Sequence, residues 1–247
     1  MDQKPVREDE TLEDLQLGGL VLLQKKKGFR FGMDSVLLAD FARIGEKDEV
    51  ADFGTGSGIL PLLLIGRNKG SRFHCFEIQE EIASMAERTV RLNHLEERIR
   101  IHPADAAKAH EILPRCSMDA VICNPPYGIP GSTLSSPDAS RAVSRSQDDN
   151  TISGFFRSAF LILKGKGRFC FIYPVQQMLM VMKQLQQAHL EPKRFQMVYP
   201  DAEKPANLVL IEAVKDARPM LQPMPPLILY NPDRSLTDQL KAVYHLE

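Results

Sequence analysis

From residue 50 onwards, short apolar runs alternate with longer segments that have an apolar residue every three or four positions. The short runs predict buried strands, and the longer segments predict helices. The predicted strands are 50–53, 72–77, 99–102, 119–123, 167–173, 194–199 and 207–214. The predicted helices are 59–67, 79–95, 153–163 and 178–189. This alternation predicts an α/β fold with a doubly wound, mostly parallel sheet of seven strands. The short loop between the last two strands predicts that they pair antiparallel, which places an antiparallel strand at the edge of the sheet.

The segment before residue 50 predicts a small N-terminal hairpin followed by a helix. Residues 1–11 are polar and are expected to be loose. The predicted hairpin consists of a strand, a lysine-rich turn and a partner strand, at 20–23, 25–28 and 29–31. Asp34 is predicted to cap a helix over 35–44. A strand at 226–230 and a helix from Thr237 are predicted after a Pro-rich linker. The expected division is an N-terminal extension, a core domain and a C-terminal segment, at 1–45, 46–215 and 216–247.

Composition and charge exclude several classes of protein. The chain has 247 residues with 43% hydrophobic content, enough for one large α/β domain with small additions. Its 31 Lys and Arg balance 32 Asp and Glu, so a nucleic acid would have to bind local basic patches. The longest apolar run, 59–65, is too short to span a membrane, and the charged N-terminus lacks the apolar stretch of a secretion signal. We therefore expect a soluble cytoplasmic protein. Its expected oligomeric state, a monomer, does not follow from these numbers.

The cysteines and histidines do not form a metal-binding pattern. No C-x-x-C spacing links the four cysteines, and none of the six histidines forms an H-x-x-x-H pair. We therefore expect no metal. The cysteines are interpreted as reduced core or strand residues of an intracellular protein: Cys75, Cys116, Cys123 and Cys170.

A glycine-rich loop, 54–58, follows the first strand of the core, two residues after Asp52. Glycines at such a position allow a tight turn and the close approach of a ligand. In sheets of this type, ligands bind outside the carboxyl ends of the strands. A dinucleotide-binding fingerprint would need a third glycine at the position of Ile59, so the G-x-G-x-G spacing differs from it. A purely structural turn is the alternative.

Acidic residues stand at or after the ends of the first three core strands. Glu77 closes the second strand, where a carboxylate can accept hydrogen bonds from both ribose hydroxyls of a nucleoside. Asp105 follows the third strand and can accept from an adenine amino group, while Asp52 can hold the water or amine shell around a bound ligand. The alternatives are an ordinary surface acid for Glu77 and a helix cap before Ala106 for Asp105.

The tetrad Asn124-Pro125-Pro126-Tyr127 ends the fourth strand abruptly. Two consecutive prolines cannot donate to a sheet ladder and each fixes its own φ, so the turn is stiff. The Asn124 side chain and the Pro125 carbonyl can both accept from one NH2 group, and the Tyr127 ring can stack on the plane that carries it. The tetrad suits a planar substrate with an exocyclic amine. A turn that merely ends the strand is the alternative.

The order of these motifs resembles the class I S-adenosylmethionine-dependent methyltransferases, in particular the amino-methyltransferases with an N-P-P-Y tetrad. The resemblance implies a Rossmann-like fold and S-adenosylmethionine as the cofactor. It implies that Asn124, Pro125, Pro126 and Tyr127 are the catalytic residues that receive the target nitrogen. It also implies a set of cofactor contacts at the strand ends: Asp52, Gly54, Thr55, Gly56, Gly58, Glu77, Ile78, Asp105, Ala106 and Asn124.

Flanking segments extend the resemblance over most of the chain, to the bacterial tRNA1(Val) adenine-N6-methyltransferases. These segments are 28–39, 191–200, 204–213 and 225–230. That family modifies the adenine just 3′ of the anticodon, position 37, which implies the anticodon loop of a tRNA as the substrate. In such families the segment around 31–38 packs beside the cofactor pocket, which implies a further role for Asp34. One departure is Ser144-Arg145-Ser146-Gln147, where the family pattern would be Ala-Arg-His-Glu.

Basic and aromatic residues are candidates for tRNA contacts, through phosphates and base stacking. The expected substrate-binding residues are Lys26, Lys27, Arg30, Phe31, Arg141 and Arg145, with Lys25 beside them and Lys193 and Arg194 as weaker candidates. Arg141 and Arg145 lie in a long loop, 128–150, and loops of this length are usually functional. A solvated turn beside core aromatics is the alternative for the segment 25–31.

Other functions share some of these features. Release-factor glutamine methyltransferases resemble the chain at the tetrad but carry a helical substrate-binding domain, whereas only about fifty residues precede the glycine loop here. A DNA adenine methyltransferase would need a target-recognition domain, and no segment of that size is spare. A non-catalytic binding module with this fold would not need Asn124, because nothing structural requires an asparagine there.

Overall fold

The computed structural model describes residues 6–27, 32–125 and 148–245, and for 148–151 the backbone alone. Its strands are β1 (Glu10–Asp14), β2 (Val21–Lys25), β3 (Glu49–Phe53), β4 (Arg72–Phe76), β5 (Ile99–His102), β6 (Met118–Cys123), β7 (Leu163–Pro174), β8 (Leu190–Asp201), β9 (Leu208–Lys215), β10 (Gln222–Pro223) and β11 (Leu227–Tyr230). Its helices are α1 (Met33–Phe41), α2 (Ile59–Gly66), α3 (Glu80–Leu92), α4 (Ala109–Ile112), α5 (Asp148–Ile162), α6 (Met178–Gln187) and α7 (Asp238–Tyr244).

The central sheet contains the seven predicted strands in the order β5-β4-β3-β6-β7-β9-β8. Strands β3 to β7 pair in parallel, and β9 runs antiparallel to both β7 and β8. The predicted doubly wound, mostly parallel sheet is therefore confirmed, together with the antiparallel strand near the edge that lies opposite β5. The short strands β10 and β11 also join it, each parallel to β8, so the sheet within the described residues has nine strands rather than seven.

Helices cover both faces of the sheet. Successive strand residues point to opposite faces, so Ala120 and Ile122 of β6 join one apolar layer while Val121 and Cys123 join the other. The first layer contains side chains of α1, α2, α3 and α7. The second contains side chains of α4, α5 and α6. Both faces of β6 are buried, which explains why its sequence is a continuous apolar run.

The N-terminal hairpin is present, but its first strand is not the expected one. β2 pairs antiparallel with β1, so residues 10 and 11 belong to a strand rather than a loose terminus. Glu10 is 2% exposed, and both of its carboxylate oxygens bind Arg88 of α3 at 2.6 Å. An ion pair, rather than apolar periodicity, anchors this strand, which is why the sequence pattern missed it. The partner strand predicted at 29–31 lies outside the described residues.

Polar side chains at the C-terminal end of α3, those of Thr89 and of the C-cap residue Asn93, attach β2 to the core. The Asn93 amide donates to the Val21 carbonyl at 2.7 Å and accepts from the Val21 N–H at 2.8 Å. The Thr89 hydroxyl accepts from the Leu23 N–H at 3.2 Å. These bonds satisfy backbone groups on the side of β2 that faces the helix, where no other strand of the described ranges pairs with it.

The predicted helices are present with shifted ends. Asp34 does not cap α1, because that helix begins at Met33, two residues earlier than predicted, with Gly32 at the N-cap position. Asp34 lies instead in the first turn, where a negative charge favours the helix dipole. Thr237 does cap α7, its hydroxyl accepting from the Leu240 N–H at 3.2 Å.

The division at residues 45 and 215 stays a prediction. Helix α1 precedes the first boundary, and β11 and α7 follow the second. Their side chains pack in the same apolar layer as those of α2. In the ranges that the structure describes, no helix has the length and apolar character needed to cross a membrane.

Candidate active site

The carboxyl ends of three adjacent strands bring the predicted motifs to one level of the sheet. Phe53, the last residue of β3, is in register with Phe76 of β4 on one side and with Cys123 of β6 on the other. The residues that follow these three positions therefore leave the sheet together: Gly54, Glu77 and Asn124.

The glycine loop borders open space. Gly54, Gly56 and Gly58 have φ values of 75°, 57° and 87°, a left-handed conformation that L side chains rarely adopt. The N–H groups of Gly54 and Thr55 donate to the Phe76 carbonyl at 3.0 and 2.9 Å. A Cβ added at Gly54 or Gly56 would meet no atom of the described residues within 4 Å, which leaves room for a ligand to approach the loop closely.

Glu77 is 6% exposed, which excludes its interpretation as an ordinary surface acid. One carboxylate oxygen accepts from the Gly56 N–H at 3.1 Å and the other from the Gln79 N–H at 2.9 Å. Burial raises the pKa of Glu77, and the backbone donors of Gln79, Gly56 and Ile78 oppose this shift. Each oxygen carries two lone pairs, so the carboxylate has capacity for further donors such as hydroxyl groups.

Asp52 is fully buried under the glycine loop. Neither of its carboxylate oxygens, nor the Thr55 hydroxyl, has a hydrogen-bond partner in the described chain. Burial raises the pKa of Asp52 to about 7, and the charge of Glu77 adds to this increase. The nearby Thr55 hydroxyl lowers the pKa of Asp52, although the two groups do not meet the geometry of a hydrogen bond. Buried polar atoms without partners cost free energy, so this pair fits a ligand that supplies donors.

The other predicted cofactor residues lie at the same edge. Asp105 caps a short 3-10 turn, and its carboxylate accepts from the Ala107 N–H at 2.9 Å. The alternative prediction, that Asp105 is a helix cap before Ala106, is therefore confirmed. Acceptance from an adenine by Asp105 stays a prediction. Ala106 begins this turn and is buried. Ile78 is 70% exposed and follows Glu77 directly, so it places an apolar surface beside the buried acid.

Asn124 and Pro125 leave β6 next to the N-terminal end of α1. The Asn124 side-chain NH2 donates to the hydroxyl of Ser35 at 3.2 Å, and Ser35 is 2% exposed. Pro125 is buried. Ser35 lies in the segment around 31–38 that is expected to pack beside this pocket, and this hydrogen bond brings it next to Asn124. The further role expected for Asp34 stays a prediction. A polar residue in the otherwise apolar run 35–39 is the sequence signal that could have indicated the contact of Ser35 with Asn124.

Lys69 holds the opposite end of α1. Its ammonium group donates to the carbonyls of Ala39, Asp40 and Ala42, at 2.9, 3.2 and 3.0 Å. These are among the last carbonyls of the helix, which have no partners within it. Sequence reasoning missed this contact because Lys69 lies in a polar turn after α2.

Lys26 and Lys27 lie near the carboxyl edge of the sheet, the edge that carries the site. β2 runs along α3 towards the N-terminus of that helix, where Lys25 pairs with Glu81. Lys26 and Lys27 follow directly and are exposed. Lys25 also binds Asp9 at 2.6 Å, so its charge is already compensated within the protein.

Arg194 is a structural residue. It is 6% exposed, pairs with Glu212 at 3.0 Å and lies over the ring of Phe41, 3.9 Å from its centroid. The hypothesis that Arg194 contacts phosphate is therefore wrong, and its polar neighbourhood misled the sequence reasoning. Lys193 donates to the Arg218 carbonyl at 3.1 Å on the surface and stays a weak candidate.

Several predicted site residues lie outside the described residues. They are Pro126, Tyr127, Arg30, Phe31, Arg141 and Arg145, together with the departure at 144–147. Among the residues that the structure does describe, no group of three or more His, Cys, Asp or Glu could hold a metal ion. All four cysteines are free thiols; Cys116 is exposed rather than part of the core or a strand, because it lies in the turn before β6.

Comparisons with known proteins agree with this geometry. Residues 32–191 match the family model described as methyltransferase small domain. A tRNA1(Val) (adenine(37)-N6)-methyltransferase of Erwinia tasmaniensis is 31% identical over 188 residues, which is 74% of each chain. A protein of the same name from Tolumonas auensis is 28% identical over 155 residues, 62% of this chain and 63% of that one. This chain therefore belongs to the methyltransferase small domain family.

Solved structures show the same fold. An Agrobacterium tumefaciens protein described as a predicted O-methyltransferase has a TM-score of 0.68 at 22% identity, covering 86% of this chain and 96% of its own. TYW2 of Pyrococcus horikoshii, in complex with MeSAdo, has a TM-score of 0.59 at 15% identity, covering 85% and 73%. The expected Rossmann-like methyltransferase fold and the family resemblance are confirmed.

Proposed function

We propose that the protein transfers the methyl group of S-adenosylmethionine to the N6 atom of an adenine in tRNA, at position 37 of a valine tRNA. The observation that carries the proposal is the register of β3 and β6, because it aligns Asn124 with the glycine loop at adjacent strand ends. The names of the relatives, tRNA1(Val) (adenine(37)-N6)-methyltransferase in each case, support the choice of substrate. Since the substrate is tRNA, we place the enzyme in the cytoplasm.

S-adenosylmethionine supplies an electrophilic methyl group on a positively charged sulfonium. Glu77 accepts hydrogen bonds from the ribose hydroxyls in this proposal, and the exposed Ile78 packs against the adenine. Asp52 and Thr55 interact with the charged methionine end. Their buried oxygen atoms without protein partners support this role, because a ligand that donates hydrogen bonds would remove the cost of burying them.

Asn124 and Pro125 orient the target amine. The Asn124 side-chain oxygen and the Pro125 carbonyl accept its two N–H groups, which draws the nitrogen lone pair out of conjugation with the ring. No strong general base is needed, because the amine becomes acidic only as it acquires the methyl group. Catalysis therefore rests on orientation and on preorganised dipoles. The stacking by Tyr127 and the stiffness from Pro126 remain predictions.

An adenine in the anticodon loop reaches this pocket when it is turned out of its stack. Lys26 and Lys27 contact backbone phosphates, and their position at the carboxyl edge supports this assignment. We assign further contacts to Arg30, Phe31, Arg141 and Arg145.

The test is methyl transfer from labelled S-adenosylmethionine to bulk tRNA that lacks this modification, followed by nucleoside analysis of the digested product. We expect N6-methyladenosine with the wild-type protein. Asn124→Ala should reduce its formation at least about a hundredfold, because the preorganised acceptor is lost. Its affinity for S-adenosylmethionine, measured by calorimetry, should remain within a few-fold of wild type.

Asn68→Gly is the control. Asn68 is exposed, has a φ of 55° that glycine adopts readily, and lies after α2 at the opposite edge of the sheet. Normal turnover by Asn124→Ala would refute the proposed mechanism. Cofactor binding without any transfer to tRNA would instead favour a protein glutamine amide as the substrate, and release factors would be the next acceptors to assay.

A further inference from the structure

The contact between Asn124 and Ser35 joins two segments that are 89 residues apart in the sequence. The Asn124 NH2 group donates to the Ser35 hydroxyl at 3.2 Å, and Ser35 is 2% exposed. A hydrogen bond inside the protein restricts rotation of the amide more than one exchanged with water does. Asn124 is also the residue on which the proposed reaction depends most.

We propose that Ser35 is a positioning residue that sets the orientation of the Asn124 amide; this inference rests on the proposed function. An asparagine amide has two different ends, since NH2 only donates hydrogen bonds and the oxygen only accepts them. The hydroxyl of Ser35 binds the NH2 end, which turns the oxygen away from α1. A target amine needs this oxygen as an acceptor, and the opposite orientation would present it with a second NH2 group instead.

The same hydrogen bond strengthens the acceptor. Donation from the NH2 group polarises the amide and increases the negative charge on its oxygen, because linked hydrogen bonds reinforce one another. The effect acts while the target nitrogen becomes positively charged, when acceptance by the Asn124 oxygen matters most. Ser35 therefore contributes through Asn124 and does not need to touch the substrate.

Helix α1 is held by its buried middle and by contacts at its C-terminal end, so the Ser35 hydroxyl has a defined position. Val36, Leu37 and Leu38, the next residues of the helix, are each at most 5% exposed. Lys69 binds three carbonyls at the C-terminal end of the helix. Groups held on a packed helix keep their geometry better than groups on a loop, which is what orientation of an amide requires.

The test compares single-turnover rates of methyl transfer to tRNA with saturating S-adenosylmethionine. For Ser35→Ala we expect a rate constant lower by about three- to tenfold, the loss expected for one hydrogen bond, with unchanged affinity for S-adenosylmethionine and tRNA. Ser35→Thr keeps the hydroxyl and should recover most of the rate. Ser158→Ala is the matched control, since Ser158 is also a fully buried helical serine with a side-chain partner at 3.2 Å, His110.

Coupling between the two residues separates positioning from a general effect on folding. In the Asn124→Ala background, Ser35→Ala should reduce the residual rate by less than about twofold, because the group through which Ser35 acts is gone. An equal loss in both backgrounds, or a wild-type rate for Ser35→Ala, would overturn the inference.

A readout without substrate distinguishes failure of this inference from failure of the proposed function. In the 15N-labelled protein, the Asn124 side-chain NH2 signals can be assigned by their absence in Asn124→Ala. We expect them to exchange with solvent at least about threefold faster in Ser35→Ala, and unchanged exchange would refute the hydrogen bond. If the wild-type protein left tRNA unmodified while Ser35→Ala still accelerated this exchange, the proposed function would fail and the orientation of Asn124 by Ser35 would stand.

Discussion

At the residue scale, burial determines the chemistry of the site more than charge type does. Asp52 and Glu77 are acids at adjacent strand ends, but their surroundings differ. Glu77 receives hydrogen bonds from backbone N–H groups, whereas the oxygens of Asp52 have no partner within the described chain. Of these two acids, Asp52 is therefore the one whose ionisation is more strongly disfavoured in the folded protein.

The stability of the cofactor-free protein should reflect this protonation. The pKa of Asp52 is raised from its ordinary value of 3.8 to about 7. Between these values the folded protein retains a proton that the unfolded chain has lost, so Asp52 destabilises the fold progressively as the pH rises from 4 to 7. Asp52→Asn has no proton to lose. Its free energy of unfolding relative to wild type should rise by roughly 2–4 kcal/mol between pH 4 and pH 8.

Denaturant unfolding of both proteins at several pH values measures this difference. Burial lowers the pKa of His102 to about 4 and lowers that of His74, but both histidines are present in the two proteins. Their contributions therefore cancel in the comparison. A difference in stability that does not change with pH would contradict the account of Asp52.

At the scale of elements, the N-terminal hairpin depends on a buried ion pair. Glu10 and Arg88 are 2% and 4% exposed and share two hydrogen bonds of 2.6 Å. Removal of Glu10 takes both of these hydrogen bonds from a guanidinium that stays buried, which costs more than the intact pair contributes. The pKa of Glu10 is lowered by Arg88, so this stabilisation is present above the ordinary pKa of a glutamate and is lost as the pH falls.

Glu10→Ala should therefore destabilise the protein by about 3 kcal/mol at pH 7, measured by denaturant unfolding. It should also expose the chain before α1 to limited proteolysis, because β1 loses its attachment to α3. Asp238→Ala is the control, since its pair with Lys241 is 3.4 Å long, exposed, and expected to contribute less than about 0.5 kcal/mol. Equal stability of the two variants would show that the ion pair does not hold the hairpin.

At the scale of the whole molecule, the net charge is only −1, so attraction of tRNA depends on where the lysines lie and not on the total charge. The hairpin carries Lys26 and Lys27 to the edge of the sheet that holds the glycine loop and Asn124. Lys47 precedes β3 and therefore lies at the opposite edge. The molecule thus offers two exposed lysine sites that differ in distance from the proposed reaction centre.

Replacement of both Lys26 and Lys27 by alanine should weaken tRNA binding and leave binding of S-adenosylmethionine unchanged. Each lost phosphate contact reduces the slope of log affinity against log salt by about 1, so the expected reduction is roughly 1–2. Titration of tRNA binding at several salt concentrations measures it, and Lys47→Ala should keep the wild-type slope. If both variants kept that slope, the hairpin would not belong to the tRNA-binding surface.

The sequence by itself determined the seven core strands and the main helices that alternate with them, the glycine loop at a strand end and the tetrad after β6. Each depends on local properties: the period of apolar residues, the conformations open to glycine and the stiffness of two prolines. The family resemblance rested on these motifs and on the flanking segments, and the family model together with the relatives confirmed it.

Only the tertiary structure decided the long-range polar contacts. Glu10 meets Arg88 across 78 residues, and Ser35 meets Asn124 across 89. Such pairs leave no periodic trace, because a buried polar side chain is stable only when a distant segment supplies its partner. The wrong prediction for Arg194 has the same cause. Its charge suggested a contact at the surface, but the fold buries it against Glu212, which lies 18 residues further along the chain. Periodicity therefore indicates which face of an element is buried, and packing alone determines what that face meets.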